Sequence, residues 1–205
     1  MHALIVVAHH DPRSLTHHLA AQVALGIDRT QAGHSHETAD LWAEGFDPCF
    51  GPADHAVHRQ QAAPPADVAA EQARLDRADA LVLVFPVYWW SMPGLLKGWI
   101  DRVFSNGWAF DYSPEAKLLK KLRHLHVHLL ALGGADAGTF ERHGYAKAMQ
   151  TQIDHGIFDY CGARVASSHL LLDSESRAPH QHLDHARNLG LELFAQAPAS
   201  VAQAH

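Results

Sequence analysis

Cysteine is scarce in this chain: Cys49 and Cys161 are the only two, far apart and in no Cys-x-x-Cys spacing. The pattern indicates neither a zinc site nor a disulfide scaffold. No apolar run approaches the ~20 residues that a membrane span needs, so no membrane insertion is expected. Basic charge is in deficit, with 16 Lys and Arg against 22 Asp and Glu, a net charge of −6. That leaves no electrostatic route to nucleic acid or anionic lipid. The first residues lack the basic lead-in of a signal peptide, and their apolar part is too short for one. A cytoplasmic location is the expectation. No internal repeat and no linker divide the 205 residues, so one domain over 1–205 is expected. What is present is ordinary for a soluble globule: 47% hydrophobic and 19% charged residues.

Short apolar runs alternate with helical patterns. Residues 4–8 form a β-branched run that ends in His9-His10-Asp11-Pro12-Arg13-Ser14. A buried strand followed by a loop is the reading, with Ser14 or Thr16 capping a helix through Leu19, Val23 and Ile27. Further strands are expected at 37–41, 80–85, 126–132 and 165–172. Further helices are expected at 67–77, 94–104, 145–160 and 182–194. Residues 49–66 read as a surface loop. Strand–helix alternation implies a parallel sheet covered on both faces. The expected fold class is α/β: a flavodoxin-like three-layer sandwich with a five-stranded parallel sheet, order 2-1-3-4-5.

Ligands of such folds bind beyond the carboxyl ends of the strands. Three loops are then candidates. The first has neither GxGxxG nor GxxxxGK followed by Ser or Thr, so a Rossmann dinucleotide site and a P-loop are unsupported. It does place Ser14 and Thr16 at a helix start, a reasonable phosphate cradle, with Arg13 as an added charge. The second loop, Pro86-Val87-Tyr88-Trp89-Trp90, sets three aromatics beyond a buried strand. They suit a flat aromatic ligand, and side chains alternating on an extended segment would send one tryptophan outward. The third, Gly133-Gly134, allows close backbone approach.

The motif Pro86-x-x-Trp89-x-x-x-Pro93-x-x-Leu96-Lys97-Gly98-Trp99-x-Asp101-Arg102-Val103-Phe104 resembles the signature of flavin-dependent NAD(P)H:quinone oxidoreductases, the DT-diaphorase family. Ala8-His9 with Ser14, Asp40-Leu41-Trp42 with Phe46-Asp47-Pro48, Gly133-Gly134 and Tyr160-Cys161-Gly162 match the family's other motifs in order and spacing. The resemblance covers residues 3–172. It implies a homodimeric enzyme that passes hydride from NAD(P)H through a bound flavin to a quinone by a ping-pong mechanism. The flavin is FAD, with FMN as the close alternative. The flavin-binding residues it implies are His9, Arg13, Ser14, Leu15, Thr16, Pro86, Val87, Tyr88, Trp89, Trp90, Gly133 and Gly134. Phe140 stands where a family tyrosine is expected. Tyr145 and His143 are therefore taken, in shifted register, as the residues that stabilise reduced flavin. The alternative function is an ancillary regulatory subunit of a potassium-efflux transporter, since some bacterial relatives resemble this chain.

Histidine is abundant, at 19 residues. His124, His126 and His128 alternate along a strand, but no Cys or Glu-x-x-His accompanies them, and surface or packed histidines are the expectation rather than a metal site. Lys117, Lys120, Lys121 and Arg123 read as a solvated helix face. Asp101-Arg102 reads as a polar pair at a subunit or flavin edge.

Overall fold

The computed structural model describes residues 1–115, 117–175 and 179–195. The first half runs β1 (His2–Val7), α1 (Leu15–Arg29), β2 (Ser35–Asp40), α2 (Pro52–His58), α3 (Ala66–Asp76), β3 (Ala80–Pro86) and α4 (Gly94–Val103). A small antiparallel ladder follows, β4 (Phe110–Asp111) with β5 (Leu119–Lys120). Then come β6 (His126–Leu132), α5 (Ala137–His143), α6 (Tyr145–Met149), a π-helix over Gln150–Asp159, β7 (Arg164–Leu171) and α7 (His180–Glu192). The main sheet is parallel and five-stranded, in the order β2-β1-β3-β6-β7. Counted among its own strands, that is 2-1-3-4-5.

The central strands explain themselves. β1 and β3 are apolar on both sides because both faces of a parallel sheet are covered. Leu81, Leu83 and Phe85 pack with α4 residues Leu96 and Trp99 and with Phe158. Val82 and Val84 point the other way, toward Leu19, Val23 and Ile27 of α1 and Ala186 of α7. α1 and α7 cross where both carry glycine. A Cβ on Gly26 would overlap the Arg187 carbonyl, and one on Gly190 would overlap the Val23 carbonyl. Gly26→Val should therefore push the helices apart and destabilise by about 1–3 kcal/mol. Urea unfolding checks this, with Gly94→Ala as the neutral control because a Cβ there meets nothing within 4 Å.

Several expectations need correction. Residues 49–66 are not all loop, because α2 forms within them. Pro52 suits a first helical position, and the Gly51 N–H donates to Asp54 Oδ2 at 2.8 Å. The segment 145–160 is not one α-helix. It widens to a π-helix that brings Ile153 and Phe158, five residues apart, into the same core. α5 was not foreseen; Asp136 caps it, accepting from Thr139 N–H at 2.6 Å. The basic run is not a helix face. Lys120 lies in β5 and pairs with Asp159 at 3.1 Å, and Lys121 lies 3.6 Å from Asp111. His124 precedes β6, whereas His128 is buried on it, with Nδ1 2.9 Å from Ser167 Oγ. Burial, then His126 and His169, push its imidazole down to about 4. Arg102 is no edge residue. It is buried between Asp54 and Asp67, while Trp99 and Phe104 are core.

Candidate functional site

The carboxyl ends of β1, β3, β6 and β7 lie at one edge of the sheet. The chain leaves β1 through His9 into the start of α1, where Ser14 is the cap and accepts from His17 N–H at 3.3 Å. The helix itself leaves the amides of Leu15 and Thr16 without intrahelical acceptors, as every helix start does. Positive dipole and free N–H groups make this end receptive to an anion. His9 Nδ1 accepts from Asp11 N–H at 3.0 Å, which leaves its Nε2 to carry the proton of the neutral ring. Burial, then the neighbouring His10, hold the His9 imidazole below its ordinary value. Its ring stacks on that of His10 at 4.6 Å. Behind Ser14, His17 bridges two groups. Its Nδ1 lies 3.0 Å from Ser14 Oγ and its Nε2 lies 2.8 Å from Asp40 Oδ2.

His9, Ser14, Leu15 and Thr16 line a cavity of about 260 Å³ whose opposite wall is Pro86, Val87 and Tyr88. Arg13 is not among its lining residues. Its side chain is 90% exposed and sits 3.6 Å from Asp11, because the Asp11 turn aims it outward.

The aromatic loop is not extended. Tyr88 and Ser91 exchange backbone hydrogen bonds at 3.0 and 3.1 Å, enclosing Trp89 and Trp90 in a two-residue turn. Both have positive φ, 50° and 61°. That is a type I′ geometry, which favours Asn-Gly and strains tryptophan. Trp89 is 92% exposed. Trp90 is half-buried, stacked on Tyr145 with ring centroids 3.8 Å apart. The alternation argument sent one tryptophan outward, but the turn is what does it.

Trp89, Trp90, Gly133 and Phe140 line a second hollow of about 160 Å³. Both hollows are lined by Val87 and Gly134, so they form one cleft with a polar end and an aromatic end. Gly133 is glycine for packing: a Cβ would stand 2.8 Å from Leu172. Val87 N–H donates to Leu132 O at 2.7 Å, and the Tyr88 amide is used by the turn. Among the described residues, the N–H groups of Trp89, Trp90 and Gly134 find no acceptor. These leftover donors fit the polar edge of a planar ring, and the walls fit its faces.

Tyr145 and His143 are brought together, with ring centroids 5.2 Å apart. They lie behind Trp90 rather than among the residues lining the hollow. Sequence reasoning missed Phe140 as a wall, and Ser174 and Glu175 at the polar end. The last two follow β7, which ends at the same edge, so the same strand-end argument would have found them. A further cavity of about 350 Å³ lies under α6 and the π-helix, lined by Leu129, Met149, Asp154 and His169. It lies against the carboxyl-terminal halves of β3, β6 and β7, where Phe85, Ala131 and Leu170 also line it, and burial raises Asp154 above the ordinary carboxylate range. Among the described residues, no three His, Cys, Asp or Glu side chains come together to hold a metal ion.

A parallel sheet in this order, with a helix start and an aromatic hollow meeting at its switch point, defines a protein of the flavodoxin-like class. Residues 1–190 match the family described as having a flavodoxin-like fold, and the chain belongs to that family. It is similar to the orangutan (Pongo abelii) protein named ribosyldihydronicotinamide dehydrogenase [quinone], with 30% identity over 188 residues, 79% of this chain and 77% of that one. It is similar in structure to an NAD(P)H:quinone oxidoreductase from Methanothermobacter marburgensis, with a TM-score of 0.85 and 26% identity over 94% of this chain and 98% of that one. A shorter likeness, 52% over 50 residues, is to the glutathione-regulated potassium-efflux system ancillary protein KefF of Enterobacter sp. (strain 638). It covers 24% of this chain and 28% of that one.

Proposed function

We propose that this protein is a flavin-dependent NAD(P)H:quinone oxidoreductase of the cytoplasm, working by a ping-pong mechanism through one cleft. The observation that carries the reading is the two-ended cleft, with an anion-ready helix start joined through Val87 and Gly134 to an aromatic hollow. Relatives of similar length and fold carry quinone reductase names.

A bound flavin would supply the redox chemistry, hydride transfer between NAD(P)H and a quinone. The chain's own residues position and shield. The Leu15 and Thr16 amides and the Ser14 hydroxyl would hold the phosphate end. Trp90, braced by Tyr145 and Phe140, forms a rigid wall at the ring end. The Trp89, Trp90 and Gly134 amides would be donors for the ring's polar edge, where negative charge would be stabilised. Tyr145 and His143, which lie behind that wall, are assigned to supporting this charge through Trp90 and not by contact. FAD is the proposed flavin, with FMN as alternative. Trp89 and Tyr88, adjacent in the turn, are 92% and 48% exposed. Aromatic surface of this extent suits a partner copy, so a homodimer is proposed.

Denaturing the purified protein and identifying the released flavin by chromatography is the test. About one FAD or FMN per chain is expected, followed by repeated turnover with NAD(P)H and a quinone. A colourless protein that also fails to take up either flavin would overturn the reading. The second reading, an ancillary subunit of a potassium-efflux transporter, rests on the 50-residue likeness. Pull-down from membranes distinguishes it.

A further inference from the structure

His17 is not needed to cap α1, since Ser14 already does so. Yet its ring is fixed at both nitrogens, 3.0 Å from Ser14 Oγ and 2.8 Å from Asp40 Oδ2. The hydrogen positions follow from valence. Asp40 is an acceptor only, and its Oδ1 already takes the amides of Trp42 and Ala43 at 3.2 and 3.1 Å. His17 Nε2 must therefore donate to Asp40. In the neutral ring Nδ1 is then a bare acceptor, and the Ser14 hydroxyl proton has to go to it. Ser14 Oγ meanwhile accepts from His17 N–H. In that state Ser14 has no proton left for a ligand. In the imidazolium state Nδ1 donates to Oγ instead. Ser14 then accepts twice and its own proton is free to point into the cavity that it lines with His9, Thr16 and Val87.

We propose that His17 is a positioning residue that reverses the Ser14 hydrogen bond, so that binding of an anionic group at the polar end of the cleft is linked to uptake of one proton. The inference rests on the reading of the cleft as a flavin site, the anion being the phosphate end of the flavin. The sign is fixed by the geometry. Low pH gives the imidazolium, a free Ser14 donor and an added positive charge, so the anion binds more tightly. Rising pH removes all three. By reciprocity, the bound anion raises the proton affinity of His17.

The other charged groups around the ring are accounted for. On α1 itself His18 is exposed. From the β1 loop, His9 lies edge-on at 6.3 Å, with His10 stacked beyond it and Asp11 and Arg13 paired to one side. From the β2 end comes Asp40, and from the turn after β7 comes Glu175 at the rim of the cavity. α7 meets α1 farther along, where Arg187 bonds Gln22 at 2.7 Å. His9 also titrates beside the anion. The charge on His17 is among the causes that hold its imidazole low, so wild type and His17 variants are compared again in a His9→Asn background, where the difference isolates His17.

The test is the affinity of the flavin-free protein for FAD and for riboflavin, by flavin fluorescence, between about pH 5.5 and 8.5. The FAD diphosphate does not titrate in that range, and riboflavin has no phosphate. Wild-type affinity for FAD is expected to fall about tenfold more than that for riboflavin as pH rises, the worth of one hydrogen bond to a charged acceptor. In His17→Asn the side-chain amide donates to Ser14 at every pH, and the excess fall should vanish, with the affinity held between the low-pH and high-pH values of wild type because the positive charge is absent. His17→Gln, which reaches Asp40 but leaves the Ser14 proton free, should also be flat. A His17 that merely supports structure would shift affinity by one factor at all pH values, leaving the slopes of variants and wild type parallel. That result overturns the proposal while the flavin reading stands. Failure to bind FAD, FMN or riboflavin at any pH overturns both.

Discussion

Arg102→Met is expected to lower the folding free energy by about 3–5 kcal/mol, the loss typical when one partner of a buried ion pair is removed. The melting temperature should fall by roughly 10 °C for a chain of this size. Arg102 leaves α4 into the core. Its Nε bonds Asp54 at 3.0 Å, its Nη1 bonds Asp67 at 2.6 Å, and the same Nη1 bonds the Asp47 carbonyl at 2.7 Å. One side chain thus fastens α2, α3 and the turn before α2 to α4. The pair with Asp54 matters most, because both side chains are nearly inaccessible, at 8% and 4% exposure. Methionine fills much of the space but leaves the Asp54 carboxylate buried without its cation. Lys97→Met is the contrast. Its pair with Asp101 is equally short, 2.6 Å, but both ends are near half-exposed and water replaces the partner. Its loss should stay within about 0.5 kcal/mol. The pH dependence has a definite sign. The hydrogen bond from Arg102 holds the Asp67 carboxyl below its ordinary value. The stabilisation from that pair is complete above the ordinary carboxylate range, near pH 4, and drains as pH falls through the lowered value. The gap between wild type and Arg102→Met should therefore narrow in acid. Chemical denaturation at pH 7 and pH 3 measures it. A loss under about 1 kcal/mol at pH 7 would show that Asp54 finds water or a proton instead.

The sheet was legible because its signal is local. Continuous apolar runs such as residues 80–85, short, rich in β-branched residues and bounded by turn signals, read as central parallel strands, and Gly133 closes β6 where the run ends. The strand-end rule then located both halves of the cleft. What was not legible depends on contacts far apart in sequence. Arg102 reads as half of a polar pair at a subunit or flavin edge until Asp54, 48 residues earlier, folds over it. The same contact hides α2, whose short, His-rich sequence has little helical pattern of its own. The turn at Trp89-Trp90 violates local preference outright, so no propensity argument finds it. Ser14 was legible as a cap. Its link through His17 to Asp40 was not, because β2 had to supply the carboxylate.

Trp89→Asn is expected to stabilise the flavin-free protein by about 0.5–1 kcal/mol, since asparagine is favoured where this turn needs positive φ. The same change should weaken flavin binding about tenfold through loss of an aromatic wall. The two effects have opposite signs, and that separates function from packing. A tryptophan kept for the core would be buried and its removal destabilising. Trp89 is 92% exposed, with φ at 50°. It therefore gains little from the folded monomer to offset the strain of its backbone. Strain held without internal compensation points to a contact outside the chain, a ligand or a partner copy over the hollow it shares with Trp90, Gly133 and Phe140. Trp42→Ala is the control for a general effect of losing an exposed indole. Trp42 is 61% exposed and touches the edge of His10 at 6.1 Å, outside the lining of either hollow. Its flavin retention should match wild type. Thermal melts of flavin-free protein and flavin titrations of both variants decide the matter. If Trp89→Asn and Trp42→Ala retain flavin equally, the exposed indole of Trp89 is no part of the site, and the turn carries strain for a partner surface instead.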